Sequence, residues 1–204
     1  MADLPLDLPP ALAADLARVV DVEGKIVAAL EALGPIAGKA IAFVDTPGGV
    51  VRAAAAPLAA SVVDLPADPA AWADVPAGGF DVIVGLWSAC RGVDPAEQAA
   101  VDRLLRPGGR LLVVHEYGRD DVSHLRGDRP EYGAWSHRTG PFLTGGFRVR
   151  VLHCFWTFES LEATRAFLAA AFGPAGEELG AGLRRPRLSW NVAVYHRSSV
   201  LASG

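Results

Sequence analysis

Apolar positions follow two rhythms along this chain. Between Leu12 and Leu33, residues Leu16, Val19, Val20, Ile26, Val27 and Leu30 recur at helical intervals until Gly34-Pro35 breaks the pattern, which predicts one or two amphipathic helices. Short, almost wholly apolar runs then take over. Ala40–Asp45, Phe80–Leu86, Arg110–Glu116 and Leu188–His196 read as strands, with Ser61–Leu65 a further strand and Phe147–Phe155 a more exposed, alternating one. Helical segments are predicted from Val50 to Ala56, from Asp68 to Ala73, from Asp94 to Leu105, and from Ser160 to Phe172, where Gly173-Pro174 stops the pattern. Asp94-Pro95-Ala96-Glu97 is a strong helix start: a capping acid, a proline at the first helical position and a glutamate three residues after the cap.

A strand, a capped helix and a second strand at this spacing make a crossover unit of a parallel sheet. The chain is therefore expected to be an α/β protein, a Rossmann-like three-layer αβα sandwich. At 204 residues, 51% hydrophobic and 21% charged, it suits one packed domain. Residues 1–38 are expected to form a helical segment packed on an α/β domain spanning 39–204. A net charge of −4 gives no basic face for nucleic acid. Cys90 and Cys154 lie far apart outside any C-x-x-C pair, so neither zinc nor a redox dithiol is expected. The opening MADLPLDLPPALAADLARVV lacks the basic start and apolar run of a signal peptide, and no stretch approaches the ~20 apolar residues of a membrane helix. A soluble, cytoplasmic protein with no membrane partner is the expectation.

The segments FDVIVGL and LLRPGGRLLVVHE, joined by the capped helix, resemble the fourth strand, following helix and fifth strand of class I S-adenosylmethionine-dependent methyltransferases. Phe80-Asp81 and Leu105-Arg106-Pro107-Gly108-Gly109-Arg110-Leu111 carry the likeness. The resemblance implies a mostly parallel sheet whose last strand, Leu188 to His196, is antiparallel, and S-adenosylmethionine as cofactor. Two departures accompany it. Asp45-Thr46-Pro47-Gly48-Gly49 keeps the acid and second glycine of the family's cofactor loop but puts Pro47, which has no N–H and a fixed φ, at the first glycine. The stretch from Ile41 to Asp81 is also short by about one strand and one helix. Asp64, the acidic end of Ser61-Val62-Val63-Asp64, is the candidate for either the ribose-binding or the adenine-binding acid.

Ligands of such sheets sit beyond the carboxyl ends of the strands. That edge collects Asp45, Gly48, Gly49, Asp64, Trp87 and Ser88 as cofactor candidates, and His115 and Glu116 as candidate bases. Adjacent residues of a strand face opposite ways, so at most one of the latter pair enters a site. Tyr117 to Gly146, polar and in places aromatic, is read as a long connection whose Gly118–Gly140 loop suits a lid or substrate-recognition segment, with Tyr117, Tyr132, Trp135 and His137 as substrate candidates. The alternative is a solvated loop of weak ion pairs. The histidines lack metal-ligand spacing and no metal site is expected. Three functions compete: a small-molecule methyltransferase, a methyltransferase-fold binding or assembly protein that has lost its cofactor, and, last, a nicotinamide oxidoreductase lacking the expected glycine fingerprint. A homodimer stands as an option for its assembly.

Overall fold

The computed structural model describes residues 6, 8–44, 49–87, 89–90, 93–127 and 129–199. Six strands form one sheet: β1 Ala40–Val44, β2 Ser61–Leu65, β3 Phe80–Leu86, β4 Leu105–Glu116, β5 Arg148–Thr157 and β6 Arg187–Ser198, in the order β2-β1-β3-β4-β6-β5. The pairs β1–β2, β1–β3 and β3–β4 are parallel, and β6 runs antiparallel to both β4 and β5. The expected architecture and its antiparallel last strand are both present. Between β1 and β3 the chain makes one strand, β2, in keeping with the shortened stretch read from Ile41 to Asp81.

Burial explains which runs are uniformly apolar. In β1, Ile41 to Val44 are all buried because strands and helices cover both faces, whereas the edge strand β2 exposes Ser61, Val63 and Asp64. Alternate residues feed two cores. On one face Ile41, Phe43, Val82, Val84, Leu112, Val114, Val192 and Val194 meet α1 (Pro10–Val19), α2 (Lys25–Leu33), α3 (Val50–Ala55) and α8 (Leu161–Gly182). Leu16, Ile26, Leu30 and Leu168 lie at the centre of that layer, fully buried. On the other face Ile83, Leu111, Val113 and Tyr195 meet Val101 and Leu104 of α4 (Pro95–Leu104). Asp94 caps α4 through the amide of Glu97 at 2.9 Å, as the motif predicts.

Three boundaries differ from expectation. The connection after β4 is folded into α5 (Asp121–Leu125), α6 (Pro130–Ser136) and α7 (Pro141–Thr144), whose Tyr132, Trp135 and Phe142 are buried in the second core. Helices of four to seven residues show too little periodicity to be recognised in sequence. Secondly, Gly173-Pro174 kinks α8 rather than ending it: Gly173 adopts φ 57°, open to a residue without Cβ, and Pro174 restarts the helix. Thirdly, β4 begins at Leu105, which pairs with Phe80 before the ladder slips and resumes at Arg110 opposite Val82. Pro107-Gly108-Gly109 is thus a bulge inside a strand, with Gly108 at φ 76°. A Cβ on Gly109 would lie 2.9 Å from the Arg106 carbonyl oxygen and 3.1 Å from that of Asp81. Among the described residues no helix is long and apolar enough to cross a membrane.

The Phe80-Asp81 pair has a structural task. One Asp81 oxygen accepts from the Ala40 amide at 2.9 Å and from Arg106 Nη1 at 2.8 Å, so it ties the start of β1 to the bulge of β4. Burial alone would raise the Asp81 carboxyl, but the Ala40 amide and the Arg106 guanidinium together outweigh it and lower its pKa below the ordinary 3.8. A carboxylate depressed on folding adds stability above its unfolded pKa, and that stability is lost as pH falls through the folded value. Asp81→Asn is therefore expected to cost roughly 1–2 kcal/mol at neutral pH. The gap from wild type narrows as pH falls below ~4 and closes only once the pH is under the lowered folded value, where Asp81 is protonated. Urea melts of both proteins across this pH range check the prediction; a gap that persists into acid would refute the ionic origin.

Candidate functional site

Strands β1 to β4 are parallel and end at one edge. The chain leaves β1 for β2 on one side and then crosses to β3 on the other, so the order reverses between the carboxyl ends of β1 and β3. Such a reversal leaves a crevice in which the two outgoing connections diverge. Of the residues that the sequence assigns here, Asp45, Pro47, Gly48 and Ser88 lie outside the described residues. Gly49 is the N-cap residue of α3, with extended backbone.

Asp64 stands opposite Phe43 of β1, one residue before the end of β2. Arg52 of α3 grips it with two parallel bonds, Nε to Oδ1 at 2.7 Å and Nη2 to Oδ2 at 2.8 Å. A carboxylate has about four acceptor sites, so this fork fills half of them. The Asp64 side chain remains 35% exposed, leaving the rest available. Arg52 therefore orients the acid without exhausting it.

Trp87 follows β3 directly, with its amide donating to the Val114 carbonyl at 2.9 Å and its backbone at φ 52°. A bulky residue held in the left-handed region is strained, and such strain concentrates where a chain must turn sharply at a site. Its ring is buried against Trp190, the centroids 5.4 Å apart, and it forms part of the first core.

His115 and Glu116 project to opposite faces, and both are buried. The His115 ring lies 4.7 Å from Trp135 and 6.0 Å from Phe142, and its Nε2 is 3.2 Å from the Cys90 carbonyl oxygen. A carbonyl only accepts, so the tautomer carries its proton on Nε2. Glu116 anchors a polar cluster. Its Oε2 accepts from Arg126 Nη1, in an ion pair whose side chains are each 5% exposed, and from the Tyr132 hydroxyl at 2.5 Å. Burial and the neighbouring Glu116 charge raise the Tyr132 phenol far above its ordinary 10.0, which keeps it a proton donor.

The remaining substrate candidates divide. Tyr132 and Trp135 are buried, Tyr117 is half-buried with the Arg119 guanidinium 5.7 Å from its ring centroid, and His137 is exposed, its Nδ1 2.8 Å from Thr139 Oγ1. Sequence reasoning passed over Arg52 and Arg126 as particular partners. Each meets its acid across a change of element, Arg52 to Asp64 and Arg126 to Glu116, where no local periodicity points to the pair.

Both cysteines are buried. Burial, with Glu97 beside it, pushes the Cys90 thiol well up, and burial with the Asp21 charge pushes Cys154 up to about 12. Thiols so disposed are poor nucleophiles. Among the described residues no group of three or more histidine, cysteine or acidic side chains is placed to hold a metal. A cleft of about 620 Å³ between α1 and the start of α8, at the end of β5 and lined in part by Leu12, Val19, Phe158 and Phe167, contains none of the candidate residues.

No protein-family model matches the sequence, and no curated protein matches it significantly. Solved structures do match the fold. A protein classed as a type II methyltransferase of Anaeromyxobacter dehalogenans superposes with a TM-score of 0.55 at 16% identity, over 87% of this chain and 96% of that one. The structure describing the conversion of a disulfide bond into a thioacetal group in echinomycin biosynthesis gives 0.50 at 15% identity, over 88% and 82%. The chain thus has the fold of the class I methyltransferases, and the likeness first drawn from FDVIVGL and LLRPGGRLLVVHE holds at the level of architecture.

Proposed function

We propose that the chain is an S-adenosylmethionine-dependent methyltransferase acting on a small molecule. The observation that supports this best is the Arg52–Asp64 fork beside the sheet's reversal point: a carboxylate fixed in direction, half its acceptor sites open to solvent, at the end of the strand next to β1. Each Asp64 oxygen keeps one free acceptor position, enough to take a hydrogen bond from a ribose hydroxyl. Gly49 at the head of α3 and the Trp87 turn after β3 flank the same crevice. The cofactor, when bound, supplies an electrophilic methyl group. The protein's own share is to orient the ribose through Asp64, keep that carboxylate aligned through Arg52, and hold water away from the reacting groups by the buried aromatic wall of Trp87 and Trp190. The absence of a net basic charge supports a small-molecule substrate over a nucleic acid.

Calorimetric titration with S-adenosylhomocysteine tests the proposal. Micromolar binding is expected in the wild type, with Asp64→Ala weakening it by about 10–100-fold, the range for losing hydrogen bonds to a charged group. No binding to wild-type protein at millimolar ligand would overturn the methyltransferase assignment in favour of a protein that keeps the fold without the cofactor.

A further inference from the structure

Glu116 is bonded asymmetrically. Both protein donors, Arg126 Nη1 and the Tyr132 hydroxyl, converge on Oε2, while Oε1 is buried and has no partner. Among the described residues it is the one buried side-chain oxygen in that condition. An unfilled buried acceptor is costly, and more so when it carries charge. Folding alone does not favour such an arrangement when a second donor on Oε1 would relieve it.

The surroundings say what would fit. Glu116 is the last residue of β4, at the edge where the reversal-point crevice opens, and it faces Val192 across the ladder. The Glu116 charge is already opposed by Arg126, so an additional cation is not called for, and an anion is repelled. A neutral hydroxyl meets the need of Oε1, to which its hydrogen is donated.

We infer that Glu116 Oε1 is the acceptor for the hydroxyl of a neutral alcohol or phenol, with Arg126 and Tyr132 as positioning residues that fix the carboxylate by its other oxygen. This rests on the proposed methyltransferase function only for the identity of that hydroxyl as the group to be modified; the binding claim stands by itself. Arg126 is the C-cap residue of α5 and Tyr132 lies in α6. A site that bonds a hydroxyl discriminates strongly against analogues that cannot complete the pair.

Fluorine NMR titration of the full chain with 4-fluorophenol and 4-fluorobenzoate, with and without S-adenosylhomocysteine, decides the matter. Saturable binding of the phenol, at least tenfold tighter than the benzoate, is expected. Glu116→Gln should reduce phenol affinity several-fold, and the double variant Glu116→Leu with Arg126→Leu, which removes the buried pair as a unit and keeps the fold accessible to test, should abolish it. Thermal melts establish that each variant is folded. Equal binding of both probes, no saturable phenol binding, or unchanged affinity in a folded variant each overturns the inference. Failure of S-adenosylhomocysteine to bind counts against the methyltransferase proposal instead, because the phenol arm is also read without it.

Discussion

Arg126→Ala is expected to lower the unfolding free energy by about 3–5 kcal/mol, the usual penalty for leaving one member of a buried ion pair alone. The physical reason is the environment of Glu116, whose side chain is 5% exposed and which retains only the Tyr132 hydroxyl once the guanidinium is gone. The double replacement Glu116→Leu with Arg126→Leu is expected to be far milder, since both desolvated charges leave together. Guanidinium melts of the two variants beside wild type give the comparison. If Arg126→Ala costs under about 1 kcal/mol, the pair is solvated in practice and behaves like a surface bridge.

Phe142→Ala carries the second large effect, again about 3–5 kcal/mol, as expected for truncating a fully enclosed aromatic ring. Phe142 is 0% exposed, stacks on Tyr195 with centroids 4.0 Å apart, and meets Phe147 and Trp135 edge-on at 5.2 and 6.1 Å. For a chain of this length the melting temperature would fall by roughly 10 °C. The result separates two views of the region after β4: a lid or solvated loop would tolerate the change, whereas a layer that completes the second core would not. A loss below about 1 kcal/mol would restore the lid view.

The same region shows why part of the site was hidden. FDVIVGL, the capped helix and LLRPGGRLLVVHE were legible because a central parallel strand must be apolar on both faces, and because proline and glycine mark the helix exit chemically. Even there, the bulge at Gly108-Gly109 extended β4 back to Leu105, which only pairing with Phe80 reveals. Tyr132 and Trp135 were noticed for their chemistry, but nothing local distinguishes an aromatic ring that recognises a ligand from one that closes a core. His115 and Glu116 were recognised as facing opposite ways from the period of two; that Glu116 holds Arg126 and Tyr132 while His115 lies under Trp135 depends on which short helix packs over each face.

By itself, then, the sequence determined the class of architecture and the positions of all six strands to within about five residues. These follow from local rules: apolar periodicity, caps, and the backbone limits of proline and glycine. Tertiary structure alone decided the sheet order with its reversal between β1 and β3, the grip of Arg52 on Asp64, and the unequal use of the two Glu116 oxygens. Each of these joins groups on different elements. Their geometry is set by how those elements pack, and no local pattern along the chain encodes that.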